Sequence, residues 1–308
     1  MTEARARRAA YAALALLTLI WGSNWIVAKI ALRAADPLVF NVQRTWMAVV
    51  ILFAALAWQR RPLWPQDWRA IMVTGFFQTT INFGATTMAL AGGGAGRTSV
   101  LVFTMPFWTL LLAWPVLHER VRGMQWVAVG CALAGLMLVV EPWRWQGELG
   151  PKLWAVLSGF GWAAGTVATK YFQRRRDFEP LNFVAWQMLA GVLPLTVLPL
   201  VLPVPATQWS AMQVGLLVYV GAVSTAAGFL LWLAVLKHLP AGTASLNMFA
   251  IPVIALIASM LVFGEALSRH EWLGIGAIGL GLAIITLRAW RAVRQSGPSQ
   301  ELAPLEGG

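Results

Sequence analysis

Two stretches of this 308-residue chain, Thr98–Glu119 and Ala244–Glu265, are copies of one design, and that duplication restricts the possible folds more than any other feature. Each is a long apolar run with a proline near its middle, Pro106 or Pro252, and a glutamate at its end. At a fixed offset of 146, Ser99 meets Ser245, Phe103 meets Phe249, Leu110 meets Leu256 and Glu119 meets Glu265. The series continues through Trp126 and Trp272, Gly130 and Gly276, and Gly135 and Gly281. A colinear, ungapped series of this length is a duplication, so the chain is built from two related halves.

The composition says what surrounds those halves. Residues are 59% hydrophobic and only 11% charged, where soluble domains carry roughly 25% charged residues. Mean hydropathy is +0.68. The lipid bilayer is therefore the chain's main environment. The net charge of +11 does not indicate nucleic acid, because the basic residues are scattered between apolar runs and form no continuous face. The single cysteine, Cys131, lies inside an apolar run and excludes an intrachain disulfide.

A span takes about 20 mostly apolar residues, and ten such segments can be read: roughly 10–32, 37–58, 70–91, 98–117, 124–141, 152–173, 180–202, 212–236, 243–263 and 271–290. The first has a basic start, yet its apolar core is too long for a signal peptide, and Trp21-Gly22-Ser23-Asn24 is a poor cleavage site. The polar, Pro/Gly-rich tail, 295–308, reads as disordered. Fifteen Lys/Arg residues fall on the side of the termini and five on the other, which places both termini in the cytoplasm.

The upstream parts of the halves match too. Trp21 pairs with Trp162 and Lys29 with Lys170 at an offset of 141; Pro37 pairs with Pro180 and Phe40 with Phe183 at 143. The repeats are thus residues 10–141 and 152–290, five spans each. Five is odd, so the second repeat enters the membrane from the opposite side. The expected fold is all-α, ten transmembrane helices in two inverted five-helix repeats, an architecture suited to alternating access around a midplane site.

Pro115–Gly130, PVLHERVRGMQWVAVG, closely resembles the end of an EamA repeat, and its second copy keeps Glu265, Trp272 and Gly276. Over residues 11–290 the chain looks like the drug/metabolite transporter superfamily, and Trp21-Gly22-Ser23-Asn24 with the tryptophan richness resembles its YddG-type aromatic amino acid exporters. The resemblance implies a small-molecule substrate, an amino acid or related metabolite with an apolar or aromatic side chain, and a monomer in a bacterial cytoplasmic (inner) membrane.

Polar side chains within a membrane are costly and are functional candidates. Gln78, Asn82 and Thr86 are spaced to share one helix face. Asn24, Trp25, Ser99, Phe103, Trp162, Thr166, Trp186, Ser245 and Met248 join Gln78 and Asn82 as candidate substrate-binding residues. They would line an apolar cavity holding a few orienting amides and hydroxyls; the competing reading is interhelical hydrogen bonding. Pro106 and Pro252 each remove a helical hydrogen bond and are either hinges or static kinks. Arg44, near the outer end of its segment, is a candidate to meet a carboxylate at the exit; Lys29 and Lys170 read as snorkelling side chains. Every Asp and Glu falls at a helix end, in a loop or in a tail, so the cavity is expected to carry neutral polar groups and aromatics.

No constellation for enzyme chemistry appears: no HExxH, no GxSxG, no Walker loop. AGGGAGR at 91–97 lacks the ending of a phosphate cradle. No cofactor and no metal site are expected. The leading function is a secondary transporter exporting small metabolites without proton coupling. The alternatives are export of hydrophobic drugs, a lipid enzyme of the membrane, and a scaffold or receptor.

Overall fold

The structure, a computed structural model, describes residues 3–119, 123–141, 149–238 and 250–295. Among these, every regular element is helical. The first half comprises α1 (Glu3–Ala31), α2 (Pro37–Trp58), α3 (Trp68–Gly75), a π-helical stretch (Phe76–Ile81), α4 (Asn82–Gly92), α5 (Ala95–Val102), α6 (Met105–Leu117) and α7 (Met124–Val140). The second comprises α8 (Leu149–Gln173), α9 (Pro180–Val201), α10 (Ala211–Val218), a second π stretch (Tyr219–Ala227), α11 (Gly228–His238), α12 (Ala250–Phe263) and α13 (Arg269–Gln295).

The duplication is written into the helix starts. Asp36 accepts hydrogen bonds from the Leu38 and Val39 amides with Pro37 in the first turn of α2. Glu179, 143 residues on, accepts from the Asn182 amide with Pro180 at the same place in α9. Asp67 caps α3 through the Arg69 and Ala70 amides, and Ser210, again 143 on, caps α10 through Gln213. In each case an oxygen satisfies donors that the first turn leaves open, and in α2 and α9 proline occupies a position needing no donor. The two π stretches, starting at Phe76 and Tyr219, keep the same offset.

Five stretches are long and apolar enough to cross a bilayer: Ala9–Ala31, Pro37–Trp58, Ala95–Leu117, Pro180–Val201 and Ala211–Val235. The chain is a multi-pass membrane protein. α7 and α12 are apolar but shorter, and the residues preceding α12 lie outside the described ones. Large apolar side chains such as Val50, Leu193, Leu261 and Leu273 are exposed, as a lipid-facing surface requires, and Trp58, Trp64 and Trp209 project near helix ends as interfacial anchors do.

The halves close on each other through small residues. A Cβ on Gly135 of α7 would stand 2.5 Å from the Gly274 carbonyl oxygen of α13, and one on Gly281 would stand 2.7 Å from that of Ala128. Gly135 and Gly281 are repeat partners, and so are Ala128 and Gly274. The two contacts are one contact seen twice, which an antiparallel pair produces across a two-fold axis.

Two charge clusters at opposite helix ends also join the halves. Glu119, after α6, pairs with Lys170 of α8 at 2.6 Å and with Arg174 just beyond that helix. Glu265, its repeat partner, accepts the Ala95 amide at 2.7 Å and so caps α5. Beside it Arg97 pairs with Glu271 at 2.7 Å.

Candidate functional site

The span from Ala95 to Leu117 is interrupted at its middle. α5 ends at Val102, Phe103 and Thr104 form a turn, and α6 restarts with Pro106 in its first turn. Pro106 therefore opens a helix and does not kink a continuous one. Its missing N–H frees the Val102 carbonyl, and α8 lies against that carbonyl at Gly159, where a Cβ would come within 2.8 Å of the oxygen. Thr104 covers the next opening, its Oγ1 donating to the Leu101 carbonyl at 2.6 Å. Pro252 is buried in the first turn of the described part of α12, and the residue four before it lies outside the described residues.

This break faces a cavity of about 130 Å³ between the halves, roughly midway along the helices that line it. One wall is aromatic. Trp21, with its Nε1 donating to the Ser224 carbonyl at 3.0 Å, packs edge-on against Phe229 at 6.2 Å between ring centroids, and Trp162 meets Phe229 at 6.5 Å. Trp21 reaches this position because residue 228 is glycine: a Cβ there would be 2.6 Å from the indole nitrogen. Trp25 and Phe103 extend the wall.

Three of the polar lining groups, Asn82, Ser224 and Thr225, lie in the π stretches or at their border. Asn82 directly follows the first and Thr225 lies in the second; they are repeat partners at offset 143, and both line the cavity. Thr225 Oγ1 donates to Val220 O, five residues back. A π turn carries one residue more than an α turn and is frequent at functional sites. Asn82 donates through Nδ2 to the Ser158 carbonyl at 3.0 Å and to Ser158 Oγ at 2.8 Å, and Thr86 shares that hydroxyl at 2.6 Å. Ser158 is fully buried and ties the first half to α8. Asn24 lines the same cavity, its Oδ1 buried without a hydrogen-bond partner among the described residues.

One lining side chain is charged. Arg44, 7% exposed, lies with its guanidinium carbon 4.4 Å from the centre of the Phe83 ring and donates through Nε to Asn41 Oδ1 at 2.9 Å. The sequence pattern predicts only neutral lining groups and sets Arg44 at the exit. Here the structure corrects the pattern, because the depth of a side chain follows helix packing as well as position along a span.

Of the residues singled out by sequence, Asn24, Trp25, Asn82, Phe103 and Trp162 line the cavity. Gln78 and Thr166 do not; they hydrogen-bond to each other at 3.2 Å, with Gln78 pressed onto Gly165. Ser99 is fully buried and bonds back to the Gly96 carbonyl. Trp186 bonds to the Leu63 carbonyl and packs on Trp68 and Phe53, near the α2–α3 connection. Ser245 and Met248 lie outside the described residues. Residues that the pattern leaves unmarked here include Phe83, Met105, Ser224 and Ile251. Among the described residues no group of three or more His, Cys, Asp and Glu is placed to hold a metal ion. A second crevice, of about 440 Å³, is lined solely by apolar residues of α5, α12 and α13 and by Phe103, which both cavities share.

Two sequence-related helical halves around a partly polar, aromatic-walled cavity define a membrane transporter. The profile of the EamA-like transporter family matches residues 8–141 and 151–287, and the chain belongs to that family, part of the drug/metabolite transporter superfamily. It is 27% identical to an uncharacterized transporter of Bacillus subtilis, YoaV, over 88% of this chain and 94% of that one. It is 24% identical to a probable amino-acid metabolite efflux pump of Escherichia coli, over 91% of this chain and 96% of that one. A solved crystal structure superposes with a TM-score of 0.64 at 19% identity, covering 92% of this chain and 99% of the other.

Proposed function

We propose that this protein exports small metabolites, chiefly amino acids with apolar or aromatic side chains, across the bacterial cytoplasmic membrane by alternating access. It works as a non-enzymatic monomer of ten helices in two inverted repeats, residues 10–141 and 152–290, with both termini in the cytoplasm. The observation that carries the reading is the cavity itself: both halves line it, an aromatic wall faces a few amides and hydroxyls, and its size is about 130 Å³. Pockets for drug-sized ligands run to about 300–1,000 Å³, so the space favours a metabolite over a large hydrophobic drug. The exchanged contacts of Gly135 and Gly281 support inversion, and the fifteen-to-five distribution of Lys and Arg supports the orientation. The efflux role named for the Escherichia coli relative points the same way.

The test is transport by the purified protein in liposomes, with a panel of amino acids set against hydrophobic cationic dyes. Movement of aromatic or branched amino acids is the expected result. Movement of the dyes alone would replace the metabolite reading by drug export.

A further inference from the structure

The cavity holds a charge that the rest of the fold does not answer. Among the described residues, ion pairs join Arg97 to Glu271, Lys170 and Arg174 to Glu119, and Arg176 to Asp67, all at helix ends. None reaches Arg44. Its guanidinium is held from behind: Asn41, one turn earlier on α2 and itself buried, fixes Nε, and the Phe83 ring supports the plane. Its hydrogen bond to the described residues is made through Nε, which leaves both Nη groups to face the cavity. A buried cation with no counter-charge is costly, and in membranes such groups mark solute pathways. An anion entering the cavity would offset that cost, and a planar fork of donors matches a carboxylate in two-point geometry.

We propose that Arg44 is the carboxylate-binding residue of the cavity, so that a solute must carry a carboxylate to be bound well. The inference rests on the transport reading above and sharpens it. The carboxylate sits on the Arg44 fork, and the apolar part of the solute lies against Trp21, Trp162 and Phe229. The same chemistry would admit a simple organic acid, which separates from an amino acid only by experiment.

The full-length protein in liposomes is assayed for uptake, and by tryptophan fluorescence for binding, with L-phenylalanine, its carboxamide and 3-phenylpropionate. The readout is the ratio of each acid to the carboxamide, which a general loss of folded protein leaves unchanged. The wild type should prefer the acids by roughly 10- to 100-fold, the range for a hydrogen bond to a charged group. Arg44→Gln should abolish the preference, and Arg44→Lys should retain part of it. Equal handling of acid and carboxamide by the wild type, or a preference that survives in Arg44→Gln, overturns the assignment while leaving amino-acid transport standing. Arg44-dependent binding of 3-phenylpropionate with no probe transported would keep the site and overturn the transport reading. Absence of both binding and transport overturns both.

Discussion

At the residue scale, Gln78 and Asn82 show where pattern reading works and where it stops. Spaced i and i+4, they share a face on any regular α-helix, and that rule assigns both to the cavity. The π stretch Phe76–Ile81 contains Gln78 and ends just before Asn82. Its extra residue per turn breaks the register, turning Gln78 onto Thr166 of α8 while Asn82 and Thr86 meet Ser158 at the cavity wall. No local propensity in FFQTTI announces a π turn; the repeat alone hints at it, since the second stretch falls at the matching place. Asn82→Ala is therefore expected to lower transport by about tenfold or more, because it removes a cavity amide and frees the buried Ser158. Gln78→Ala loses one interhelical hydrogen bond, worth about 0.6 kcal/mol, and should leave solute affinity near that of the wild type. Concentration-dependent uptake by the two variants decides it, and a larger affinity loss in Gln78→Ala would count against this placement. Gly228→Ala tests the aromatic wall from behind: its Cβ displaces the Trp21 indole from Ser224, and quenching of tryptophan emission by bound solute should weaken.

At the scale of elements, most of what could be foreseen was repetition, and most of what could not was close approach. Proline at the start of α2 and α9, an acid just before each, and long apolar runs are visible in the chain, because capping and hydropathy are local chemistry. The break between α5 and α6 is half visible. Pro106 announces a lost hydrogen bond, but where the helix stops depends on what packs against the freed carbonyl, and that is Gly159, more than fifty residues away. A glycine there reads equally well as a lipid-facing gap. Gly159→Val should drive α8 away from the Val102 carbonyl, with an overpacking cost of about 1–3 kcal/mol. Gly135→Val should do the same between α7 and α13. The Gly130→Val variant, whose added atoms meet nothing within 4 Å, serves as the control. Thermal unfolding in detergent should rank Gly130→Val close to wild type and the other two clearly below it; three equal midpoints would mean that the close approaches are soft.

At the scale of the whole molecule, the two-fold relation governs charge as well as shape. Glu119 and Glu265 are repeat partners at opposite helix ends, one holding Lys170 and Arg174, the other the start of α5. In the proposed orientation, cysteines placed at Gly94 and Pro205 should label from outside intact cells and one at Arg175 should not. Labelling of all three would rule out the inverted arrangement. The same distribution of charge bears on coupling. A proton-driven carrier needs a titrating group that the solute pathway exposes first to one side and then to the other. Among the described residues no acid or histidine lines this cavity; the buried carboxylates Glu141 and Glu271 lie at the ends of α7 and α13, where they face His270 and Arg97. The one charged side chain among the described lining residues is Arg44, which is neither a carboxylate nor an imidazole. An amino acid should then move down its own gradient with equal pH on both sides of the liposome, at a rate that a protonophore leaves unchanged. Loss of transport on adding the protonophore would mean that a proton is carried after all, and the Glu141–His270 pair, at 3.5 Å the one His–carboxylate contact among the described ion pairs, would be the first place to look for it.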